Sequence, residues 1–238
     1  MPNKKISFMI PAYNEEAAVG ETVHELVAEF KKLNEDFEII VFDHGSSDNT
    51  YHEIRKLQDI YPNYVKSIHF PHNIEYGGII NLGLKKFTSG DIIGWTCADG
   101  EIKAEDTRKV AEFLLKNPEF HASKASRINR NVGVRKFISY WYNQFAESLF
   151  RIKSSDVNGW PFFIRSDAYE TLDLKLQDWV INIEILHKLR RNNLAFKEID
   201  CEHQQRKGGR SSVRFYTILE FTKQLLGYRA STLSKRKK

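Results

Sequence analysis

The chain has 238 residues, of which 41% are hydrophobic and 13% aromatic, and its formal net charge is +5. This composition is enough for a substantial apolar core in one large domain, with or without an appendage. The two cysteines, Cys97 and Cys201, have no CxxC spacing, so we expect neither a zinc site nor a disulfide framework. No apolar stretch approaches the roughly 20 residues needed to cross a bilayer, and the first apolar run is too short for a signal peptide. We therefore expect a cytoplasmic protein.

Apolar runs that read as buried strands alternate with segments of helical periodicity. Strands are predicted at residues 5–10, 37–42, 65–70 and 91–96, with helical patterns after each of them. Ser47 or Asp48 is expected to cap the second helix. Strands that alternate with helices of this length predict βαβ units, and hence an α/β fold with a mostly parallel sheet.

Polar side chains follow three of these strands at the edge where ligands bind in open α/β sheets. Asp99 and Glu101 lie just past the fourth strand and could hold Mg²⁺ or Mn²⁺ against a diphosphate. An acidic solvent loop is the alternative. Tyr13, Glu15 and Asp43, past the first two strands, suit a base and a ribose, although such residues are also common in caps and turns.

Other phosphate-binding classes are not indicated. No GxGxxG follows the first strand, and no GxxxxGK[ST] occurs in the chain, which disfavours dinucleotide and P-loop folds. No motif combines basic residues with stacking aromatic residues, so nucleic acid is not an expected partner. The basic end of the chain, residues 235–238, favours phosphate-bearing partners such as nucleotides or anionic lipid.

Three motifs in register make the chain resemble the family 2 glycosyltransferases, which have the GT-A fold. They are residues 11–16 (PAYNEE), 43–48 (DHGSSD) and 97–101 (CADGE). The later chain resembles the dolichyl-phosphate mannosyltransferase branch, through Ser126-Arg127, residues 156–159 and residues 206–212. We therefore predict a GT-A domain at 1–212, with a nucleotide-sugar half (1–115) and an acceptor half (116–212), followed by an amphipathic helix and basic tail at 213–238.

The resemblance also implies roles for individual residues. Asp99 and Glu101 would hold the metal ion, while Asp99, Arg127 and Glu184 are the catalytic candidates. Arginines can stabilise a departing nucleoside diphosphate or grip a lipid phosphate. The residues expected to contact the nucleotide sugar or a phosphate are Pro11, Tyr13, Glu15, Asp43, Ser46, Asp99, Arg127, Arg206, Lys207 and Arg210.

Three positions depart from the family pattern. Cys97 replaces the first aspartate of the metal motif, and a thiol is a poor ligand for Mg²⁺ or Mn²⁺. His44 replaces the second aspartate of the DDGS motif, and Asn182 stands where many relatives have an aspartate. Transfer to a sugar hydroxyl normally needs a carboxylate base, whereas a phosphate acceptor is already ionised. Asn182 therefore favours a polyprenyl phosphate acceptor, with Glu184, Asp178 and Asp156 left as other potential bases.

These observations give three hypotheses. The first is a metal-dependent inverting glycosyltransferase that moves a hexose from GDP-mannose, UDP-glucose or a similar donor to a polyprenyl phosphate. It would be peripherally bound at the cytoplasmic face of a membrane, through a helix near residues 213–228 that could instead pack on the domain. The second is a transferase that extends a glycan at a sugar hydroxyl. The third is a degenerate nucleotide-sugar-binding protein without catalysis, which Cys97, His44 and Asn182 favour.

Overall fold

Strands and helices alternate along the chain, as the hydrophobic pattern predicts. The computed structural model describes residues 4–129, 134–206 and 215–234. The strands are β1 (Lys5–Ala12), β2 (Asp36–His44), β3 (Val65–Phe70), β4 (Ile92–Trp95), β5 (Ala122–Ile128), β6 (Phe162–Arg165) and β7 (Phe196–Glu202). The α-helices are α1 (Val19–Phe30), α2 (Thr50–Ile60), α3 (Tyr76–Lys86), α4 (Ala104–Lys116), α5 (Val134–Phe150), α6 (Ser166–Glu170), α7 (Ile181–Arg191) and α8 (Phe215–Ser234).

The strands form a seven-stranded sheet in the order β3-β2-β1-β4-β6-β5-β7. Neighbouring strands pair in parallel, except that β6 pairs antiparallel with both β4 and β5. The carboxyl ends of β1, β2, β4, β5 and β7 therefore lie at one edge of the sheet, which we call the strand-end edge. Because β6 runs the other way, the loop that leads into β6 arrives at this same edge.

Hydrophobic cores lie on both faces of the sheet. The alternation of side chains along each strand sends Phe8 to one core and Met9 to the other, and both are fully buried. Helices α1, α2 and α4 cover the Phe8 face, whereas α3, α7 and α8 cover the Met9 face. Because both faces of the sheet are covered, its parallel strands are apolar on both sides, which explains why they appear in the sequence as continuous apolar runs.

Helix α8 packs on the domain through one of its faces. Leu225 is fully buried, and the hydroxyl of Tyr228 lies 3.0 Å from Nδ1 of His187 on α7. The ring of Tyr228 also stacks on Phe150 at 5.2 Å, whereas Leu226 is 50% exposed. Within the described ranges, no helix is long and apolar enough to span a bilayer. The C-terminal helix is thus present and docked, while the basic tail at 235–238 lies outside the described residues.

One local prediction is wrong in detail. Helix α2 begins at Thr50, with Asn49 rather than Ser47 or Asp48 in the N-cap position. Asp48 still serves the helix start, because its Oδ1 accepts a hydrogen bond from the backbone N–H of Thr50 at 3.0 Å. The shift arises because the residues just before α2 also bind the first loop, where Asp48 Oδ2 accepts the N–H of Glu16.

A buried carboxylate ties β1, β2 and β3 together away from the strand-end edge. Glu38 is 5% exposed and accepts hydrogen bonds from Lys66 at 2.6 Å, Lys5 at 2.9 Å, Ser7 at 2.8 Å and Ser89 at 2.8 Å. Burial opposes ionisation of Glu38, but these donors outweigh it and lower its pKa from 4.5 to about 2. The ionised form of Glu38 therefore stabilises the folded state above pH 4.5, and this contribution is lost as the pH falls through about 2.

We expect Glu38→Gln to lower the free energy of unfolding by about 1–3 kcal/mol at pH 7, because the amide cannot accept from all four donors. The difference from the parent should shrink between pH 4.5 and pH 2, as measured by urea denaturation across this range. Glu53→Gln, which removes an exposed pair with Lys56 on α2, is the matched control and should cost under about 1 kcal/mol. A pH-independent effect of Glu38→Gln would contradict this account.

Candidate active site

The loops after β1 and β2 are joined by Asn14. The backbone of Asn14 is left-handed, with φ of 55°, a conformation that asparagine tolerates better than most residues. Its N–H donates to Oγ of Ser46 at 2.9 Å, and its Oδ1 accepts the N–H of Ser47 at 2.8 Å. The two loops therefore form one unit, and the Ser46 hydroxyl is part of the joint between them.

The predicted nucleoside contacts lie together on this unit. Pro11 pairs with Phe42 near the end of β1, and the ring of Tyr13 lies 5.6 Å from that of His44. Asp43 is fully buried; its Oδ1 accepts the N–H of Ser46 at 3.1 Å, and its Oδ2 lies 2.7 Å from Nδ1 of His69. These contacts fix the direction of the Asp43 carboxylate, and the nucleoside role of these residues stays a prediction.

A group of carboxylates lies where β1 and β4 end. Glu15 and Asp99 are each 7% exposed, and Arg206 forms an ion pair with Glu15 while its Nη1 lies 3.7 Å from Oδ2 of Asp99. Burial raises the pKa of Glu15 to about 7, with the opposing charge of Arg206 lowering it and the charges of Asp99 and Glu101 raising it further. Arg206 therefore balances a crowded set of negative charges, whose members are Glu15, Asp99 and Glu101.

Asp99 and Glu101 share a short turn, in which Oδ1 of Asp99 accepts the backbone N–H of Glu101 at 3.1 Å. Burial, together with the charge of Glu101, raises the pKa of Asp99. Glu101 Oε2 lies 3.2 Å from Nε2 of His203, which follows β7. His203 was not among the sequence predictions, because the strand that precedes it, β7, was not predicted either.

The donor set suits a hard divalent cation. Asp99 and Glu101 offer carboxylate oxygens, and Oε2 of Glu15 is buried with no hydrogen-bond partner among the described residues. In the described part of the chain, no set of three or more His, Cys, Asp or Glu side chains is arranged to hold a metal ion. An ion here would therefore take the rest of its ligands from a bound diphosphate or from water.

Cys97 lies beside these carboxylates and is a neutral group. Burial raises the pKa of its thiol well above the usual range, and the negative charges of Asp99 and Glu101 add to this effect. A protonated thiol is a weak ligand for Mg²⁺ or Mn²⁺. The structure thus places Cys97 at the site without giving it the ligand chemistry of an aspartate.

Arg127 reaches the strand-end edge from β5 and is held by Asp156 from the loop before β6. Its Nε and Nη2 donate to the two oxygens of Asp156 at 2.6 and 2.9 Å, and its guanidinium lies 3.8 Å from the centre of the Trp160 ring. Arg127 is 7% exposed, and its Nη1 is buried without a hydrogen-bond partner among the described residues. Arg127 therefore presents one unused donor in a fixed direction.

A second buried cation supports the loop that carries Asp156. Nζ of Lys124, fully buried on β5, donates to the backbone carbonyl of Asp156 and to Oε1 of Glu198 at 3.1 Å. Glu198 in turn accepts hydrogen bonds from Ser154 and from the backbone and hydroxyl of Ser155. These contacts fix the loop and, through Asp156, the direction of Arg127.

The remaining predicted residues are less directly placed at the site. Glu184 is 1% exposed and accepts the backbone N–H groups of Lys175 and Leu176, the latter at 2.8 Å, and an ion pair from Lys188 at 2.7 Å. These contacts favour a structural role, and the base role of Glu184 stays a prediction. Lys207 and Arg210 lie outside the described residues, so only Arg206 of the basic loop is placed at the site.

Comparison with known proteins identifies the family of the chain. The family model for Glycosyl transferase family 2 matches residues 7–173. Dolichyl-phosphate beta-glucosyltransferase ALG5D from Trichomonas vaginalis is 25% identical over 231 residues, covering 89% of this chain and 69% of that relative.

Solved structures show the same fold. Glucosyl-3-phosphoglycerate synthase from Mycobacterium tuberculosis, in complex with Mn²⁺, UDP-glucose and phosphoglyceric acid, superposes with a TM-score of 0.72 at 18% identity, over 96% of this chain and 80% of that one. Mannosyltransferase PcManGT from Pyrobaculum calidifontis, with GDP-mannose and Mn²⁺, gives 0.60 at 16% identity, over 84% and 57%. The predicted α/β fold of GT-A type, with a C-terminal helix, is confirmed.

Asp156→Asn should test how firmly Arg127 is held. Removing one partner of a buried ion pair leaves an uncompensated charge, so we expect a loss of about 3–5 kcal/mol in the free energy of unfolding. Glu105→Gln, which breaks an exposed pair with Lys109 on α4, is the control and should cost under about 1 kcal/mol. Urea denaturation measures both, and equal costs would show that the Arg127–Asp156 pair contributes no more than a surface pair.

Proposed function

Because the chain belongs to glycosyltransferase family 2, we propose that it moves a hexose from a nucleotide diphosphate sugar to a polyprenyl phosphate with inversion. The donor would be of the UDP-glucose or GDP-mannose type, as in the solved complexes of similar fold. The acceptor is suggested by the relative from Trichomonas vaginalis, whose name specifies dolichyl phosphate. Pro11, Tyr13, Ser46 and Asp43 would contact the nucleoside at the joined loops.

Asp99 and Glu101 would hold Mg²⁺ or Mn²⁺, which when bound stabilises the negative charge that develops on the departing diphosphate. Nη1 of Arg127 has a free donor for the diphosphate, and Arg206 can exchange Glu15 for a phosphate oxygen. Both contacts supply donors where charge develops as the glycosidic bond breaks. The carboxylate of Asp156 keeps Arg127 aimed without taking part in the bond changes.

The phosphate acceptor is supported by the contacts of two carboxylates that are candidates for the base in transfer to a hydroxyl group. Asp156 binds Arg127 through both oxygens, and Glu184 accepts two backbone N–H groups and Lys188. An oxygen of an ionised phosphate can attack the anomeric carbon while the bond to the diphosphate breaks, and no proton has to be removed. A sugar hydroxyl acceptor would need a base, which Asp156 and Glu184 do not offer. Asp178, whose Oδ1 accepts the N–H of Val180 at 3.0 Å, is the remaining candidate, and the assay below tests it.

The proposal also fits a membrane-bound acceptor. A polyprenyl phosphate presents its phosphate at a membrane surface, and the basic residues at 235–238 would be attracted to anionic lipid there. We therefore propose that the chain works peripherally at the cytoplasmic face, without a spanning helix among its described residues.

A product assay tests the acceptor class. With UDP-glucose or GDP-mannose, Mn²⁺ and a polyprenyl phosphate, mass spectrometry should detect a lipid-linked hexose, and oligosaccharide acceptors should give no product. Asp178→Asn should retain the rate within about threefold, because transfer to phosphate needs no base. For Glu184→Gln, the rate is calculated per folded molecule before it is compared with the parent, because the structural contacts of Glu184 are lost in this variant.

Product with oligosaccharides alone, abolished by Asp178→Asn or Glu184→Gln, would replace the proposal with a glycan-extending transferase. The absence of a lipid-linked hexose with every common donor would also overturn it.

Cys97 favours a second candidate, a nucleotide-sugar-binding protein without catalysis. We expect the parent to bind Mn²⁺ in the presence of nucleotide, and Asp99→Asn to weaken this binding by at least about tenfold, because a carboxylate ligand is lost. Cys97→Asp should tighten it by about tenfold, since an oxygen ligand replaces a thiol. Asp59→Asn, at an exposed position of α2, is the matched control.

Calorimetric titration with Mn²⁺ measures these affinities, alongside turnover. If the parent has neither metal affinity nor activity and Cys97→Asp gains both, the second candidate is correct and the transferase proposal is wrong.

A further inference from the structure

A buried amide next to the candidate active site has an unused acceptor. Asn182, in the first turn of α7, is 6% exposed, and its Oδ1 has no hydrogen-bond partner among the described residues. Leaving a buried polar atom unpaired costs free energy, so such an atom in a native fold calls for a ligand or a water. The site as described above makes no use of Asn182.

Contacts at the other end of the amide fix its direction. Nδ2 of Asn182 donates to Oδ1 of Asn158 at 3.2 Å, and the Asn182 side chain also lies near the hydroxyl of Tyr76. That hydroxyl accepts a hydrogen bond from Nε1 of Trp95 at 3.1 Å. The N–H end of the amide is thus occupied by protein, and the oxygen is the open end.

These partners place Asn182 beside the strand-end edge. Trp95 is the last residue of β4, two positions before Cys97, and Asn158 belongs to the loop that carries Asp156. Tyr76 lies within electrostatic reach of both Cys97 and Arg127. The ring of Tyr76 stacks on Trp179 at 5.1 Å, which joins the starts of α3 and α7. Asn182 is therefore linked, through its hydrogen bond to Asn158, to the loop whose Asp156 holds Arg127.

The chemistry of the two unused atoms is complementary to a glycosyl diphosphate. Nη1 of Arg127 needs an acceptor, which a diphosphate or sugar oxygen provides. Oδ1 of Asn182 needs a donor, and an ionised phosphate has none, whereas a hexose carries several hydroxyl groups. The acceptor phosphate is thereby excluded as the partner of Asn182, and among the reacting groups of the two substrates the hexosyl group has the donors that this oxygen needs.

We propose that Oδ1 of Asn182 accepts a hydrogen bond from a hydroxyl of the hexosyl group of the donor, so that Asn182 is a specificity-determining residue for the sugar. The inference rests on the proposed function and adds the residue that recognises the sugar. A site built to pair a substrate hydroxyl discriminates against ligands that lack it, because its buried acceptor is then left unpaired. The asparagine that departs from the family pattern thus has a binding role of its own.

The test compares a nucleotide sugar with the same nucleotide lacking the sugar. Full-length parent and Asn182→Ala are titrated calorimetrically, with Mn²⁺, against UDP and UDP-glucose and against GDP and GDP-mannose. With the pair that the parent binds, Asn182→Ala should lose about 3- to 10-fold in affinity for the nucleotide sugar. Its affinity for the nucleoside diphosphate should change by less than about twofold, because that ligand makes no contact with Asn182.

Two further variants separate sugar binding from a packing role. Asn158→Ala removes the same internal hydrogen bond but leaves Oδ1 of Asn182 in place, so it should keep the parent's preference for the nucleotide sugar. Asn182→Asp keeps an acceptor oxygen in nearly the same volume and should also keep it. Thermal unfolding of each variant checks that the fold is retained.

The results distinguish failure of this inference from failure of the proposed function. Equal losses for both ligands in Asn182→Ala, or the same selective loss in Asn158→Ala, would overturn the assignment of Asn182 alone. If Asn182→Ala does not fold, loss of the sugar preference in Asn182→Asp would overturn it. A parent that binds nucleotide sugars but makes no lipid-linked hexose would overturn the proposed function and leave the role of Asn182 standing.

Discussion

The site depends on the crowding of three carboxylates at the strand-end edge. Glu15, Asp99 and Glu101 approach one another because the carboxyl ends of β1 and β4 are neighbours in the sheet. Buried like charges raise one another's pKa and disfavour ionisation unless a cation is near. In the protein without a ligand, Arg206 supplies part of that positive charge. A metal ion together with a diphosphate could take over this role, which would free Arg206 to bind phosphate.

The antiparallel strand β6 is what brings the second half of the chain to this edge. Because β6 begins there, the loop before it places Asp156 and Trp160 beside Arg127 at the end of β5. Lys124 then secures the loop through the carbonyl of Asp156. The direction of one arginine is thus set by a series of buried contacts, which is the usual requirement for a preorganised site.

The sequence predicts the fold well because its strands are short apolar runs with clear helical patterns between them. Positions such as Asp99, Glu15 and Asp43 were predicted from strand ends, where the topology of a parallel sheet leaves little choice. The contacts of the second half could not be predicted in this way. The pairing of Arg127 with Asp156 and the burial of Glu184 against residues 175 and 176 depend on loop conformations. Propensity and periodicity carry no information about such loops.

The partners of Asn182 illustrate the same limit. Its substitution for an aspartate is visible in the sequence, but the unpaired oxygen is visible only once the structure shows that Asn158 binds the other end of the amide. His203 was missed for another reason, since it follows β7, a strand that the sequence analysis did not predict. The cap of α2 at Asn49 differs by one residue from the prediction, because Asp48 has a second contact with the first loop.

The central claim is that the carboxylates at the strand-end edge form a metal-dependent nucleotide site. Calorimetric titration of the full-length protein with UDP and with GDP, each with and without Mn²⁺, tests this claim most directly. We predict that one nucleotide binds at least about tenfold more tightly with Mn²⁺, a difference of about 1.4 kcal/mol. Binding that is the same with and without the metal, or no binding of either nucleotide, would contradict the account.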